Sequence, residues 1–353
     1  MSGASASARV AGRRARAERA ISAALACLEA AQLPSGEIPV EATADPHMLE
    51  GRTRDPAIFP TALAIHSLSF AGDAARPIVS RAAAFLLREM DGGGLWRHWT
   101  REHPHHPQLP PDLDDTACAS AALARLGCIF PDNRATLLGN RRGDGMFLTW
   151  LVPRFRWTGV PHLRATLPRL RHPAALFLFF RRTSARPGDV DAVVNANVLH
   201  YLGKAEGLDR VARRLVQVLA DEREAEADKW YDNPIVVRYF LSRALAGVRP
   251  EAGDMLVRRS ERALPANALE AAFLACTLAD WSAAVPPRLV EQLLDSQLPS
   301  GGWPAGAVYH GGRRRLRGGG FAPPHPDTPN WGSEALSAAF AVEALSRVLA
   351  AGA

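Results

Sequence analysis

Three carboxylates fall within four positions in the run Asp112-Leu113-Asp114-Asp115-Thr116-Ala117. Carboxyl groups this close oppose each other's ionisation, so one of them can hold its proton near neutral pH. A held proton is what a general acid needs. The same letters also spell a helix start. Asp is a preferred N-cap, an acid three positions later completes a capping arrangement, and a helix N-terminus favours the ionised carboxylate. Capping accounts for one aspartate per helix and not for three in four residues. That surplus carries the chemical reading.

The elements that must position these residues are helical. Six segments are apolar nearly all round: Ala57–Phe70, Leu113–Leu126, Asp189–Leu202, Asn233–Leu245, Asn267–Ala279 and Trp331–Ala350. Such helices are buried. Amphipathic, arginine-studded segments lie between them: Ala15–Ala31, Ala75–Met90, Ala205–Ala220, Glu251–Ala263 and Pro287–Ser296. The region Asp132–Arg182 supplies the missing partner. Alternation of buried and amphipathic helices predicts an all-α fold, an (α/α)6 toroid of six inner and six outer helices. Residues 1–14 read as a disordered tail and residues 15–353 as one toroid domain, with little strand alternation anywhere.

In such a toroid the inner helices run parallel, and their first residues share one rim. Asp112, Asp114 and Asp115 are joined there by Asp189, Asp191, Asp232 and Asn233, with Asn267 and Asn330 further along. Asp191 and Asn195 are four apart and share a helix face. Asn195 and Asn197 sit in an apolar run, Val193 to Leu199. A buried asparagine needs partners, so at least one of the two faces a cavity or the acidic cluster. Asp189, Asp191, Asn195, Asp232 and Trp96 are the substrate-contact candidates.

A repeated element supports the count. Gln32-Leu33-Pro34-Ser35-Gly36-Glu37-Ile38-Pro39 recurs as Gln297-Leu298-Pro299-Ser300-Gly301-Gly302-Trp303-Pro304, and Gly92-Gly93-Gly94-Leu95-Trp96 is a looser copy. Each copy follows an amphipathic helix and precedes a buried one. The glycines supply a turn and a helix stop, and the tryptophan packs across neighbouring helix pairs. These elements, Trp96 included, read first as structural staples.

Gln297–Trp303 resembles the QW repeat of the squalene cyclase and protein prenyltransferase superfamily. Asp112–Ala117 is similar to the DxDDTA motif of class II terpene cyclases. The resemblance covers most of Ala15–Ala350 and implies proton-initiated cyclisation of a polyprenyl substrate. In such enzymes the middle aspartate is the general acid, here Asp114, with Asp112 and Asp115 holding its geometry and protonation. Class II cyclases usually enclose substrate between two helical barrels, and this chain has length for one. Either the cavity lies inside one toroid, or a partner subunit closes it, or catalysis has been lost. No DDxxD and no prenyltransferase zinc pattern is present. The alternative is a non-catalytic toroid that binds a lipid or protein partner and uses its aspartates as caps.

The bulk numbers fit this reading. The chain has 353 residues, 47% hydrophobic, with a formal charge of +6 carried by arginine. That permits contact with an anionic substrate or surface. Cys27, Cys118, Cys128 and Cys276 form no zinc-type pattern, and nothing resembles a nucleic-acid-binding module. No cofactor or metal is implied; Mg²⁺ matters only for a diphosphate substrate. The histidines from His103 to His106 lie in a proline-flanked loop. His66 and His200 read as core residues, and His310 and His325 fall in a glycine-rich loop, Gly301–Pro329, expected to be mobile. No run reaches the length of a membrane span, so a cytoplasmic protein is expected. Met146–Trp157 and Ala174–Arg182 are greasy segments edged with arginine. They read as the outer wall of the third helix pair or as a peripheral membrane contact. The Arg313–Arg317 cluster reads as a solvated loop or an anion contact.

Overall fold

Helices follow the hydrophobic segments in the computed structural model, which describes residues 2–154, 157–171, 173–317 and 320–352. In chain order they are α1 (Ser2–Ala31), α2 (Phe59–Leu68), α3 (Arg76–Glu89), α4 (Leu113–Arg125), α5 (Arg134–Gly139), α6 (Val160–Thr166) and α7 (Pro173–Arg182). There follow α8 (Ala192–Leu202), α9 (Asp209–Ala220), α10 (Pro234–Leu245), α11 (Gly253–Arg262), α12 (Ala268–Asp280), α13 (Pro287–Asp295) and α14 (Glu334–Ala350). Helix α1 begins at Ser2, ahead of Ala15. No proline interrupts it, although Gly3 and Gly12 lie in its sequence.

The apolar segments are buried on nearly every face as α2, α4, α8, α10, α12 and α14. Each packs on the next, and α14 returns to α2, so the contacts close a ring. The amphipathic helices pack outside it: α3 on α2, α9 on α8, α11 and α13 on α12, and α1 on α14. Between Asp132 and Arg182 the described residues give three short helices, not one long one. Pro161 and Pro173 sit in the first turns of α6 and α7, where a missing N–H costs nothing, and Pro168 falls just past the end of α6, so the prolines break the region into short helices. The greasy segment Met146–Trp157 is mostly irregular, and Phe155, Arg156 and His172 lie outside the described residues.

A small antiparallel sheet was not anticipated. It joins β1 (Glu41–Thr43), β2 (Thr53–Arg54), β3 (Ala307–His310) and β4 (Asn330–Gly332) in the order β2-β1-β4-β3. Strand β1 pairs β4 with Glu41 opposite Gly332, tying the loop after α1 to the loop before α14. Strands of two to four residues are too short for an alternation pattern to register. The Gly301–Pro329 loop, expected to be mobile, supplies β3.

The repeats are staples. Gln32 Nε2 donates to the Gly36 carbonyl at 2.9 Å and to the Ile78 carbonyl of α3 at 3.0 Å. Gln297 Nε2 donates to Gly301 and to Ala20 of α1, both at 2.9 Å, which links the end of the chain to its beginning. Trp303 and Trp96 are fully buried and donate Nε1–H to Leu293 and Leu86 at 2.8 Å. Gly301 has φ +89°, and a Cβ there would lie 2.5 Å from the Ala23 carbonyl oxygen. Gly301→Ala is therefore expected to destabilise the fold by about 1–3 kcal/mol, read as a lowered denaturation midpoint.

Candidate active site

Helix α4 delivers the acidic run into the ring. Asp112 is its N-cap and accepts the Asp115 amide N–H at 2.8 Å. Asn233, Asn267 and Ser333 cap α10, α12 and α14 in the same way. Asp114, in the first turn, does something else. Its Oδ1 accepts from Asn197 Nδ2 of α8 at 2.6 Å, and its Oδ2 accepts from the Tyr231 hydroxyl, just before α10, at 2.9 Å. Asn197 Oδ1 in turn accepts from the Arg243 guanidinium of α10. Three neighbouring inner-ring segments thus converge on one carboxyl.

Burial is the main force on all three acids. It pushes Asp114 up to about 6, against the pull of Asn197, Tyr231 and the Arg243 charge. Asp112 rises to about 7. Asp115 rises further, because the Asp112 charge adds to its burial and it hydrogen-bonds to Asp112. Asp112 and Asp115 are 4% and 3% exposed, and charge on Asp112 opposes the ionisation of Asp115. His98 Nδ1 stands 3.9 Å from Asp115 Oδ2, and burial lowers His98 to about 4, so it is neutral at pH 7.

Asp114 is only partly buried because it lines a cavity at the N-terminal ends of the inner helices. Phe59, Trp99, Trp150, Trp230, Tyr231, Tyr309 and Trp331 supply aromatic walls, and Phe179 and Thr183 close the side next to α7. The cavity and its mouth hold about 730 Å³ of empty space. Its lining is mostly apolar and aromatic, with the three carboxyls of the acidic run at one edge. Tyr309 stacks on Trp331 at 5.2 Å and meets the Phe59 edge at 5.3 Å.

Other sequence candidates fall elsewhere. Asp189 forms a buried ion pair with Lys229 and accepts from Trp150 Nε1 at 3.3 Å. Asp191 accepts from Thr149 Oγ1 at 2.6 Å and Trp230 Nε1 at 3.1 Å, and burial raises its pKa. Both stand behind the cavity wall and fix its indoles. Asn195 bridges backbone, exchanging hydrogen bonds with Phe147 at 2.8 and 3.1 Å, and does not reach the acid. Asn197 is the asparagine that does. Asp232 faces a separate cleft, 3.8 Å from His310, and Trp96 is packed behind α3. His103 pairs with Asp55 at 3.1 Å and stacks on Trp99 at 4.3 Å. Arg313 is buried, donating to the Ala225 and Asp228 carbonyls at 2.6 Å, so it is no solvated loop cation.

Tyr231, Arg243 and most of the aromatic wall were not singled out from the sequence. The run Asp228-Lys229-Trp230-Tyr231-Asp232, two aromatics among charges just ahead of a proline-capped helix, was the available signal for Tyr231. Arg243 had none, because one arginine among many in this chain carries no information by itself.

No protein-family model and no curated protein matches the chain. Solved structures do. A protein from Actinoplanes aligns over 94% of this chain and 99% of its own at 14% identity, TM-score 0.62. A variant of the type II terpene cyclase MstE from Scytonema, in complex with the substrate geranylgeranyl dihydroxybenzoate, aligns over 96% and 99% at 14% identity, TM-score 0.67. An Asp-to-Ala variant of the same cyclase, with the product merosterolic acid A, gives 15% identity and TM-score 0.63 over the same spans. The chain has a terpene cyclase-like fold.

Proposed function

We propose that this protein is a proton-initiated, class II-type cyclase of a polyprenyl substrate, built on a single (α/α)6 toroid, with Asp114 as the general acid. The observation that carries the reading is the placement of Asp114. A capping aspartate bonds to backbone amides, whereas Asp114 is held by the side chains of Asn197 and Tyr231 at the edge of an aromatic slot. The DxDDTA-like run supports it, as does the cyclase whose solved chain matches this one over nearly its whole length and binds a geranylgeranyl substrate. The match in length suits a cavity within one helical domain.

The residues suit the chemistry. Asp114 passes its proton to a terminal alkene or epoxide, and its carboxylate is then stabilised by donors on both oxygens. Positive charge moves along the chain as rings close, and the faces of Trp99, Trp150, Trp230 and Trp331 attract it. Hydrogen bonding of Trp150 and Trp230 to Asp189 and Asp191 orients two of those rings. The slot excludes the water that would quench the cation early.

Among the described residues no helix is long and apolar enough to cross a membrane. A prenyl substrate nonetheless lives in lipid. Trp157, Leu167, Leu170 and Phe177 are exposed beside Arg164, Arg171 and Arg181, and α7 also walls the cavity. This face suits peripheral contact with an anionic bilayer.

The test is incubation with prenyl substrates of C15 to C30, free and aryl-linked, with product analysis. The acid must be protonated to work, so kcat/KM is expected to hold steady at low pH and fall as pH rises through about 6, the value for Asp114. A rate that rises through that range would remove Asp114 as the acid.

A further inference from the structure

The chain of contacts behind Asp114 ends on a cation that the reaction does not itself consume. Arg243 is 8% exposed on α10, with its guanidinium over Phe240 at 4.8 Å and beside Cys118 Sγ at 3.6 Å. Among the described residues it has no carboxylate within ion-pair distance. A buried guanidinium without a direct counter-ion is costly, and its one charge-assisted bond to a side-chain oxygen goes to Asn197.

That bond has a directional consequence. Arginine can only donate, so the Asn197 oxygen is held toward Arg243 and the Asn197 amino group toward Asp114 Oδ1. The amino group cannot accept a proton's hydrogen bond. Tyr231, at Oδ2, has a hydroxyl that can donate or accept. The two oxygens of Asp114 are therefore made unequal from behind.

We propose that Arg243 is a positioning residue that acts through the Asn197 amide, directing the proton of Asp114 to Oδ2 and strengthening it as an acid. This rests on the reading of Asp114 as the general acid for its catalytic consequence, though not for its geometry. Arg243 is not among the residues that line the cavity. Its cation and the oriented amide both stabilise the carboxylate, opposing the burial that favours the neutral form. Without Arg243 the Asn197 amide is free to turn its oxygen toward Asp114, which favours the proton and weakens the acid further.

The experiment uses the full chain labelled with ¹³C-aspartate, titrated by NMR without substrate. The Asp114 signal is assigned by its loss in Asp114→Asn. Arg243→Met is expected to raise the Asp114 midpoint by at least about one unit, a tenfold weaker acid. Arg243→Lys, which keeps the charge, is expected to stay within about half a unit. Arg243→Gln, which keeps a donor to the Asn197 oxygen and loses the charge, is expected to raise the midpoint by less than Arg243→Met but still upward, and is read in its place if that variant does not fold. A midpoint that stays put in the uncharged variants overturns the proposal. In the wild type, the Asn197 side-chain amide resonances are expected to move with the Asp114 midpoint; indifference would overturn it equally. Absence of product with every prenyl substrate removes the cyclase reading and leaves the titration result standing.

Discussion

Asp114→Asn is expected to abolish cyclised product from any prenyl substrate the wild type turns over, by roughly 10³-fold or more, while the protein stays folded. An amide has no proton to give at any accessible pH. Asp112 and Asp115 also line the cavity but are weaker acids, because burial and a neighbouring carboxylate's charge raise them, and His98 is neutral. Asparagine has the shape of aspartate, and its amide can accept from Asn197 and donate to Tyr231. The stability sign also favours a folded variant. Burial raises the Asp114 pKa above its unfolded value, so its contribution to stability is fully present below pH 4 and lost as pH rises through about 6. Above that pH the wild type bears a buried charge that the amide does not. The measurement is product formation alongside circular dichroism and a melt at pH 8. Product at wild-type rates from a folded variant would remove Asp114 as the acid and return the run to capping.

Trp303→Ala is expected to cost about 3–5 kcal/mol of stability, the range for truncating a fully buried tryptophan. Trp303 is 0% exposed, and its Nε1–H satisfies the Leu293 carbonyl at the end of α13. Truncation opens a cavity under the turn where Gln297 ties the last outer helix to α1. The residue lies away from the aromatic slot, so turnover per folded molecule is expected to hold. Urea denaturation, with activity corrected for folded fraction, checks both halves. A variant with wild-type stability would contradict the staple role, and a stable variant without activity would place Trp303 in the site.

The sequence by itself determined the helices, their alternation and the acidic start of α4. These are local properties: period, cap chemistry and proline placement act within a few residues of one another. The surplus of aspartates beyond one cap was legible for the same reason, and Asp112 and Asp114 do part company in the structure, one as cap and one as cavity carboxyl. Which residues meet Asp114 was decided only by tertiary structure. Asn197 and not Asn195 reaches it because two positions along α8 turn the side chain by about 200°, which separates one aimed at the acid from one that bridges the Phe147 backbone. Tyr231, 117 positions away in sequence, and Arg243 arrive through ring closure, which no local pattern encodes. Asp189, Asp191 and Asp232 share their residue type with the acid and face other partners. Burial, the force that makes Asp114 an acid, comes from the packed ring as a whole.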